Sequence, residues 1–289
     1  MHDTSDLVPD RPPPEDADLR ACAALIRGRR LVVLTGAGCS TESGIPDYRG
    51  PITGQRKRNP VQYQQFIGSE RWRKRYWSRA MVGWARMRRT SPNQAHRALA
   101  ALQDSPGWGG LITQNVDGLH QQAGQRDVIE LHGALDRVIC LACRRLSSRD
   151  AFQARLKVLN PGWGGRPAEF APDGDAEVDG DLGDFVLPAC PLCDEGPIKP
   201  DVVFFGENVP RERVNRAYAM VDAAEVLLVV GSSLTVFSGF RFPKRMAAQS
   251  KPVIILNCGP TRADALATLR IDQVAGHFLT ELASRLTRP

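Results

Sequence analysis

No run of about eighteen apolar residues occurs in this 289-residue chain, so no segment can span a membrane as a helix. The opening stretch MHDTSDLVPDRPPPED lacks the hydrophobic core of a secretory signal. Residues 1–14 read as a flexible polar tail, and the expected location is the cytoplasm. There is no internal repeat. Disulfides are disfavoured as well: seven cysteines is an odd number, and four of them stand in two C-x-x-C pairs. The net charge of +6 is local rather than general, which weighs against a nucleic-acid partner. What is present, 42% hydrophobic and 24% charged residues, describes an ordinary globular protein with one or two domains and a large core.

Residues 15–29 carry Leu19, Cys22, Ala23 and Ile26 on one helical stripe, with Gly28 near its end. The run LVVLT at 31–35 reads as a strand buried on both faces. Residues 51–60, PITGQRKRNP, combine turn formers and bases and read as a loop over whatever the preceding turn binds. A long helix at 69–89 sets Trp72, Tyr76, Ala80, Gly83, Trp84 and Met87 inward. Arg71, Lys74, Arg75, Arg79, Arg86 and Arg89 fall mostly on its other side, as a solvated basic face or as a patch for an acidic partner. Ser91-Pro92 marks the next helix start, with proline at the first helical position. Further strands fit 110–113, 127–131, 201–205, 226–230 and 253–256, with helices at 211–222, 240–249 and 280–286. This alternation predicts an α/β fold, a Rossmann-type parallel sheet with helices on both faces. The rhythm breaks where both cysteine pairs fall. The expected organisation is a Rossmann-type domain from 15–139 and 194–289, with a small zinc-binding module, 140–193, inserted in it.

In open α/β sheets, ligands bind beyond the carboxyl ends of the strands. Four strands here end in polar or glycine turns: Gly36-Ala37-Gly38, Gln114-Asn115-Val116-Asp117, Gly231-Ser232-Ser233 and Asn257-Cys258-Gly259. Each alone is ordinary turn chemistry. Four at one sheet edge would line a crevice with room for an extended dinucleotide. Gly36 and Gly38 let the backbone approach a phosphate, and residues 39–43 can start a helix whose N–H groups face it. Yet Thr41 stands where the dinucleotide fingerprint has its third glycine, and no acidic residue follows at the ribose-binding distance. His2, His96 and His277 read as structural. His132 differs, because it follows a strand directly and opens a glycine turn, where an imidazole suits general-base work.

The run GAGCSTESGIPDYR at 36–49 resembles the signature of the sirtuins, NAD-dependent protein lysine deacylases, and Leu131-His132-Gly133 matches the motif of their catalytic histidine. The likeness extends from about residue 19 to 286. The cysteine module, GPTR at 259–262 and APDGD at 171–175 are most similar to class II sirtuins. The resemblance implies NAD as a consumed co-substrate and acylated-lysine proteins or peptides as partners. It would bring Gly36, Ala37 and Gly38 to the pyrophosphate, Gly231 and Ser232 to the adenosine side, Asn257 and Gly259 to the adenine ribose, and Ala275 to the adenine. Gln114 would hold the nicotinamide ribose, while Asn115, Asp117 and Ile45 would form the carboxamide pocket and Tyr48 and Arg49 would close over it. Ser40, Pro46, Asp47, Val116, Ser233 and Cys258 join these cofactor contacts. The catalytic set it implies is His132 with Asn115 and Asp117, and Val203, Phe204, Phe205, Gly206 and Glu207 would pair with the substrate backbone. In the implied reaction the acyl oxygen displaces nicotinamide, and His132 then helps a ribose hydroxyl attack the acyl carbon.

Cys140, Cys143, Cys190 and Cys193 supply four thiolates, the closed tetrahedral set of one structural zinc; two pairs weigh against a redox C-x-x-C. The acidic stretch 173–184 hints at a calcium loop, but Val186 occupies the position that needs a glutamate, so it reads as a solvated loop. Acetyl is the expected acyl group. Longer or lipoyl-type acyl groups and protein mono-ADP-ribosyl transfer are alternatives, and a zinc-bearing nucleic-acid module is a more remote one.

Overall fold

Runs of Val, Leu and Ile with no polar position become strands covered on both faces, and the alternation of their side chains decides which core each joins. The computed structural model describes residues 7–48, 60–163, 169–170, 176–177 and 182–287. Its strands are β1 (Leu31–Thr35), β2 (Trp108–Thr113), β3 (Val128–Glu130), β4 (Gly133–Cys140), β5 (Leu146–Ser148), β6 (Glu169–Phe170), β7 (Ala176–Glu177), β8 (Ile198–Val202), β9 (Val226–Val230), β10 (Val253–Leu256) and β11 (Leu269–Ile271). Six form one wholly parallel sheet in the order β11-β10-β9-β1-β2-β3. Helices α1 (Asp16–Ile26), α2 (Tyr63–Gly68), α3 (Glu70–Met87), α4 (Gln94–Leu102), α5 (Leu119–Gln122), α6 (Arg149–Leu159), α7 (Arg211–Ala223), α8 (Phe237–Ala248) and α9 (Ala275–Thr287) complete the order. Leu31 and Val33 of β1 pack with α1, α4 and α9, whereas Val32 and Leu34 pack with α7 and α8. The expected doubly covered parallel sheet is therefore present.

A second sheet, β5-β4-β8, is antiparallel and packs with α3 and α6. The strand expected at 201–205 is displaced: β8 covers Ile198–Val202 and pairs with β4, outside the parallel sheet. The apolar run beyond it has another cause. Phe204 fills an aromatic cluster, 5.2 Å from Phe66 and 5.1 Å from Tyr76 between ring centroids. The start of α4 also differs. Asn93, not Ser91, caps it by accepting the His96 N–H at 3.3 Å, so Pro92 precedes the helix.

Much of the basic side of α3 is engaged within the protein, although Arg71 and Arg89 are exposed. Arg79 is buried, Arg73 donates to the Phe66 and Ile67 carbonyls, Lys74 to that of Gly183, and Arg75 stacks on Trp72. Residues 51–59 and most of the acidic 173–184 stretch lie outside the described residues. Among the described residues, no helix is long and apolar enough to cross a membrane.

Two ionic arrangements join these layers. Glu130 at the end of β3 binds Arg137 of β4 at 2.6 Å, and Arg137 and Arg213 of α7 both reach Asp201 of β8. Arg149, fully buried on α6, lies between the Trp77 and Trp84 rings at 5.1 and 4.9 Å. It also donates to Gln153 at 2.7 Å and to the Ala80 carbonyl at 3.1 Å. Burial lowers its pKa to about 10 without discharging it at neutral pH. Arg149→Ala, which removes both ring contacts and orphans a buried carbonyl, should cost on the order of 3 kcal/mol of unfolding free energy in urea. A loss under about 0.5 kcal/mol would show that the sandwich contributes little.

Candidate active site

At the carboxyl edge of the parallel sheet, the turns after β1 and β9 are pressed together backbone to backbone. Gly38 N–H donates to the Gly231 carbonyl at 2.8 Å, and Gly36 N–H to that of Val230 at 3.0 Å. Gly231 holds φ at +58°, and a Cβ there would meet the Cys39 nitrogen at 2.3 Å. Only glycine satisfies both demands. In place of the expected helix start at 39–43, two 3-10 turns, Ala37–Cys39 and Thr41–Ser43, meet at Ser40. Ile45 N–H returns to the Ser40 carbonyl at 3.3 Å, so the chain doubles back and Ser40 faces inward.

A cavity of about 770 Å³ opens over these turns. It is bordered by all four strand-end segments: Gly36, Ala37 and Gly38; Gln114, Asn115, Val116 and Asp117; Gly231, Ser232 and Ser233; Asn257, Cys258 and Gly259. Ser40, Ile45, Asp47, Tyr48 and His132 also line it, with Val203, Phe204, Phe205, Gly206 and Glu207 along one wall. Pro46 is buried and does not line the cavity. Ala275 borders a separate cavity of about 30 Å³, shared with Leu7, Val8 and Pro9. Arg49 lies outside the described residues.

The floor is a closed polar network. Ser40 Oγ donates to Asp117 Oδ2 at 2.8 Å, and Asn115 Nδ2 donates to Ser40 Oγ and the Gly36 carbonyl, each at 3.0 Å. Asp117 Oδ1 accepts the Leu119 N–H at 2.9 Å. Burial pushes the Asp117 carboxyl up from its ordinary value, against the pull of those hydrogen bonds. Gln114 Nε2 bridges to Ser232 Oγ at 2.9 Å. Two fully buried histidines lie beneath: His96 beside Asn93 Oδ1 at 2.9 Å, and His120 beside Thr35 Oγ1 at 2.9 Å. Burial holds both imidazoles down, His96 at about 4.

His132 stands at the end of β3 with both ring nitrogens engaged, Nδ1 at 2.9 Å from the Gln114 carbonyl and Nε2 at 2.8 Å from Ser238 Oγ. Burial pushes its pKa down to about 4; the Gln114 carbonyl opposes this, and the Arg213 and Arg241 charges add to it. Sequence reasoning missed Ser238, Arg241 and Arg11, all of which line the cavity. None sits in a strand-end turn, and Arg11 lies in the stretch read as a tail. That segment is tied down: Arg11 pairs with Asp272 at 2.9 Å, and the Pro12 carbonyl accepts from Gln273 at 2.8 Å.

The four cysteines form their own cluster, with all sulfurs within 4.8 Å of one another. Cys140 and Cys193 Sγ are 3.6 Å apart, and Cys143 and Cys190 Sγ 3.8 Å. Four sulfurs about 2.3 Å from one tetrahedral zinc stand about 3.8 Å from each other, so the set fits that ion with no position left open. Backbone N–H groups of Glu195 and Gly196 lower the Cys193 thiol to about 6, and Leu192 N–H donates to Cys190 Sγ at 3.5 Å. These donors favour the thiolate at Cys193 and Cys190, whereas at Cys143 the Arg145 N–H is outweighed by desolvation and the neighbouring sulfurs, which raise that thiol to about 11.

Purified protein should carry about one zinc per chain by metal analysis, and Cys140→Ala should lose it together with the order of the β4–β8 sheet. Metal-free protein of unchanged thermal stability would refute this. The buried His96 sets a pH dependence. Unfolded, it binds a proton near its ordinary 6.5, while the folded protein refuses that proton until about 4. Its contribution is complete above 6.5 and is lost as pH falls across that window, on the order of 3 kcal/mol for this residue. Urea unfolding at pH 7 and 4.5 should show the drop, and His96→Gln should reduce the slope.

A model of the Sir2 family matches residues 36–238. An NAD-dependent protein deacetylase of Xanthomonas axonopodis pv. citri is 52% identical over 257 residues, 89% of this chain and 87% of that protein. One from Bordetella bronchiseptica is 48% identical over 270 residues, 93% of this chain and 98% of its own length. A solved complex of Sir2 with a p53 peptide and NAD+ superposes with a TM-score of 0.75 at 29% identity, covering 92% of this chain and 98% of that one. With the matched region spanning both β1 and β9 turns, the cysteine cluster and His132, the chain is a member of the Sir2 family.

Proposed function

We propose that this chain is an NAD-dependent protein lysine deacylase with acetyl-lysine as its default substrate, working in the cytoplasm. The observation that carries the reading is one cavity shared by the four strand-end turns, His132 and the segment Val203 to Glu207. That arrangement has a place for each reactant, and the deacetylases it resembles along most of their length bear the same activity in their names.

The geometry supports a role for each group. The glycine turns would let the diphosphate approach their backbone closely, although the Gly36, Gly38 and Gly231 N–H groups are already donated to carbonyls, and the Ser40–Asn115–Asp117 network would receive the nicotinamide carboxamide. Bound NAD supplies an electrophilic anomeric carbon once nicotinamide departs; orientation and proton handling fall to the protein. His132 is neutral in the free enzyme, with Nδ1–H donated to a carbonyl that can only accept, so its other nitrogen is the basic one. Three N–H groups of the substrate wall are already taken, Val203 by the His132 carbonyl, Phe204 by Glu207 Oε2 and Glu207 by the Phe204 carbonyl. A peptide strand would therefore meet the remaining backbone groups, with loose demands on its sequence. The zinc cluster is remote from these groups in role: a closed ligand set holds structure and does no chemistry.

Incubation with an acyl-peptide panel and NAD should yield O-acyl-ADP-ribose by mass spectrometry, with acetyl-peptide turned over fastest. ADP-ribose attached to protein, with no O-acyl product, would favour the transferase alternative. His132→Ala should keep its melting temperature, lose deacylation by about 10²–10⁴-fold and lose nicotinamide exchange far less, since exchange precedes the base-dependent step. A stable variant that still deacylates at near the parent rate would remove His132 from the mechanism.

A further inference from the structure

The tautomer of His132 can be read from its neighbours. The Gln114 carbonyl, 2.9 Å from Nδ1, has no proton to give, so Nδ1 carries the hydrogen. The neutral ring then presents Nε2 as an acceptor, and the hydroxyl of Ser238 at 2.8 Å donates to it. The lone pair on which general-base work depends is thus already occupied. Ser238 is only 8% exposed, sits on the first turn of α8 and borders the same cavity as His132. The helix cannot draw back easily along the cleft wall: a Cβ at the next residue, Gly239, would lie 2.3 Å from Gln114 Oε1, so the helix backbone is packed directly on the residue that orients the imidazole. Either a substrate hydroxyl displaces the serine, or the serine passes the proton on.

We propose that Ser238 is a second catalytic residue that relays the proton from the attacking ribose hydroxyl to His132. The proposal rests on the deacylase reading above. In the relay the ribose O–H gives its proton to Ser238 Oγ while Ser238 gives its own to Nε2. The ribose oxygen pair forms the new C–O bond to the acyl carbon, and the C=N pair of that carbon returns to the lysine nitrogen. The serine ends as it began, the imidazole becomes an imidazolium, and Nδ1–H stays on the Gln114 carbonyl. Arg241, three residues further along α8, also borders the cavity, and its Nε is buried without a hydrogen-bond partner. Its charge opposes a lasting imidazolium, so the relayed proton is returned when the acyl adduct is hydrolysed.

The test compares Ser238→Ala, Ser238→Thr and His132→Ala by melting temperature, deacylation, nicotinamide exchange and side-chain ¹⁵N NMR of the NAD-free protein. Ser238→Ala should lower deacylation kcat by about 10- to 100-fold, within the span of one proton-transfer contribution, with KM values and nicotinamide exchange near those of the parent. Ser238→Thr, which keeps a hydroxyl, should recover most of the rate. In the NAD-free parent, His132 should show a protonated Nδ1 and a hydrogen-bonded, unprotonated Nε2 whose shift moves in Ser238→Ala. The relay is overturned if stable Ser238→Ala deacylates as fast as the parent or faster while His132→Ala is inert, which would make the serine a plug. Equal loss of deacylation and exchange with a lowered melting temperature would overturn it too, as a structural role. Unimpaired deacylation by His132→Ala would instead bring down the reading on which the relay rests.

Discussion

The contact between the Gly36–Gly38 turn and Gly231 is the constraint from which the rest follows. Two backbones touch there with no side chain between them, which locks the ends of β1 and β9 at strand spacing while the chains beyond must diverge. The divergence is the cleft. Ser40 turns into it because the two 3-10 turns fold the chain back, and Gln114 from the neighbouring strand reaches across to Ser232. A Cβ at this crossing would push the turns apart and disturb the Ser40–Asn115–Asp117 network beside it.

Under that crossing the protein has buried two imidazoles and a carboxyl. His96 and His120 are held unprotonated by burial, and Asp117 has its carboxyl raised while its oxygens are met by Ser40 and Leu119. In a low-dielectric interior such a network is strong when every member is satisfied and costly when one is not. The Ser40–Asn115–Asp117 hydrogen bonds therefore fix the polar groups that face the cavity, while His120 Nδ1 beneath them is buried without a partner.

The parallel sheet was legible because buried strands leave an uninterrupted apolar record: LVVLT, VLLVV and VIIL fall where β1, β9 and β10 lie. The strand-end turns were legible as glycine and amide clusters, and the cysteine cluster as paired spacing. The antiparallel sheet was not. Its central strand, GALDRVIC, alternates irregularly, and β8 contains Pro200, so neither has a clean period. Arg79 reads as a surface residue because charge ordinarily marks the solvated side of a helix, whereas it is buried, and nothing in the sequence marks Arg149 as the residue between two tryptophans. Ser238 left no trace, since a hydroxyl meeting an imidazole 106 residues away has no sequence period.

His132 occupies the short link between β3 of the large sheet and β4 of the small one, and its carbonyl accepts the Val203 N–H at 2.8 Å just beyond β8. Its ring, by contrast, is fastened to Gln114 and Ser238, both belonging to the large sheet and its covering helix. Backbone and side chain thus answer to different layers. The ring's position is therefore set by Gln114 and Ser238, and not by the link that carries it, so a shift of the small sheet would reach the imidazole only through its own Cα–Cβ bond.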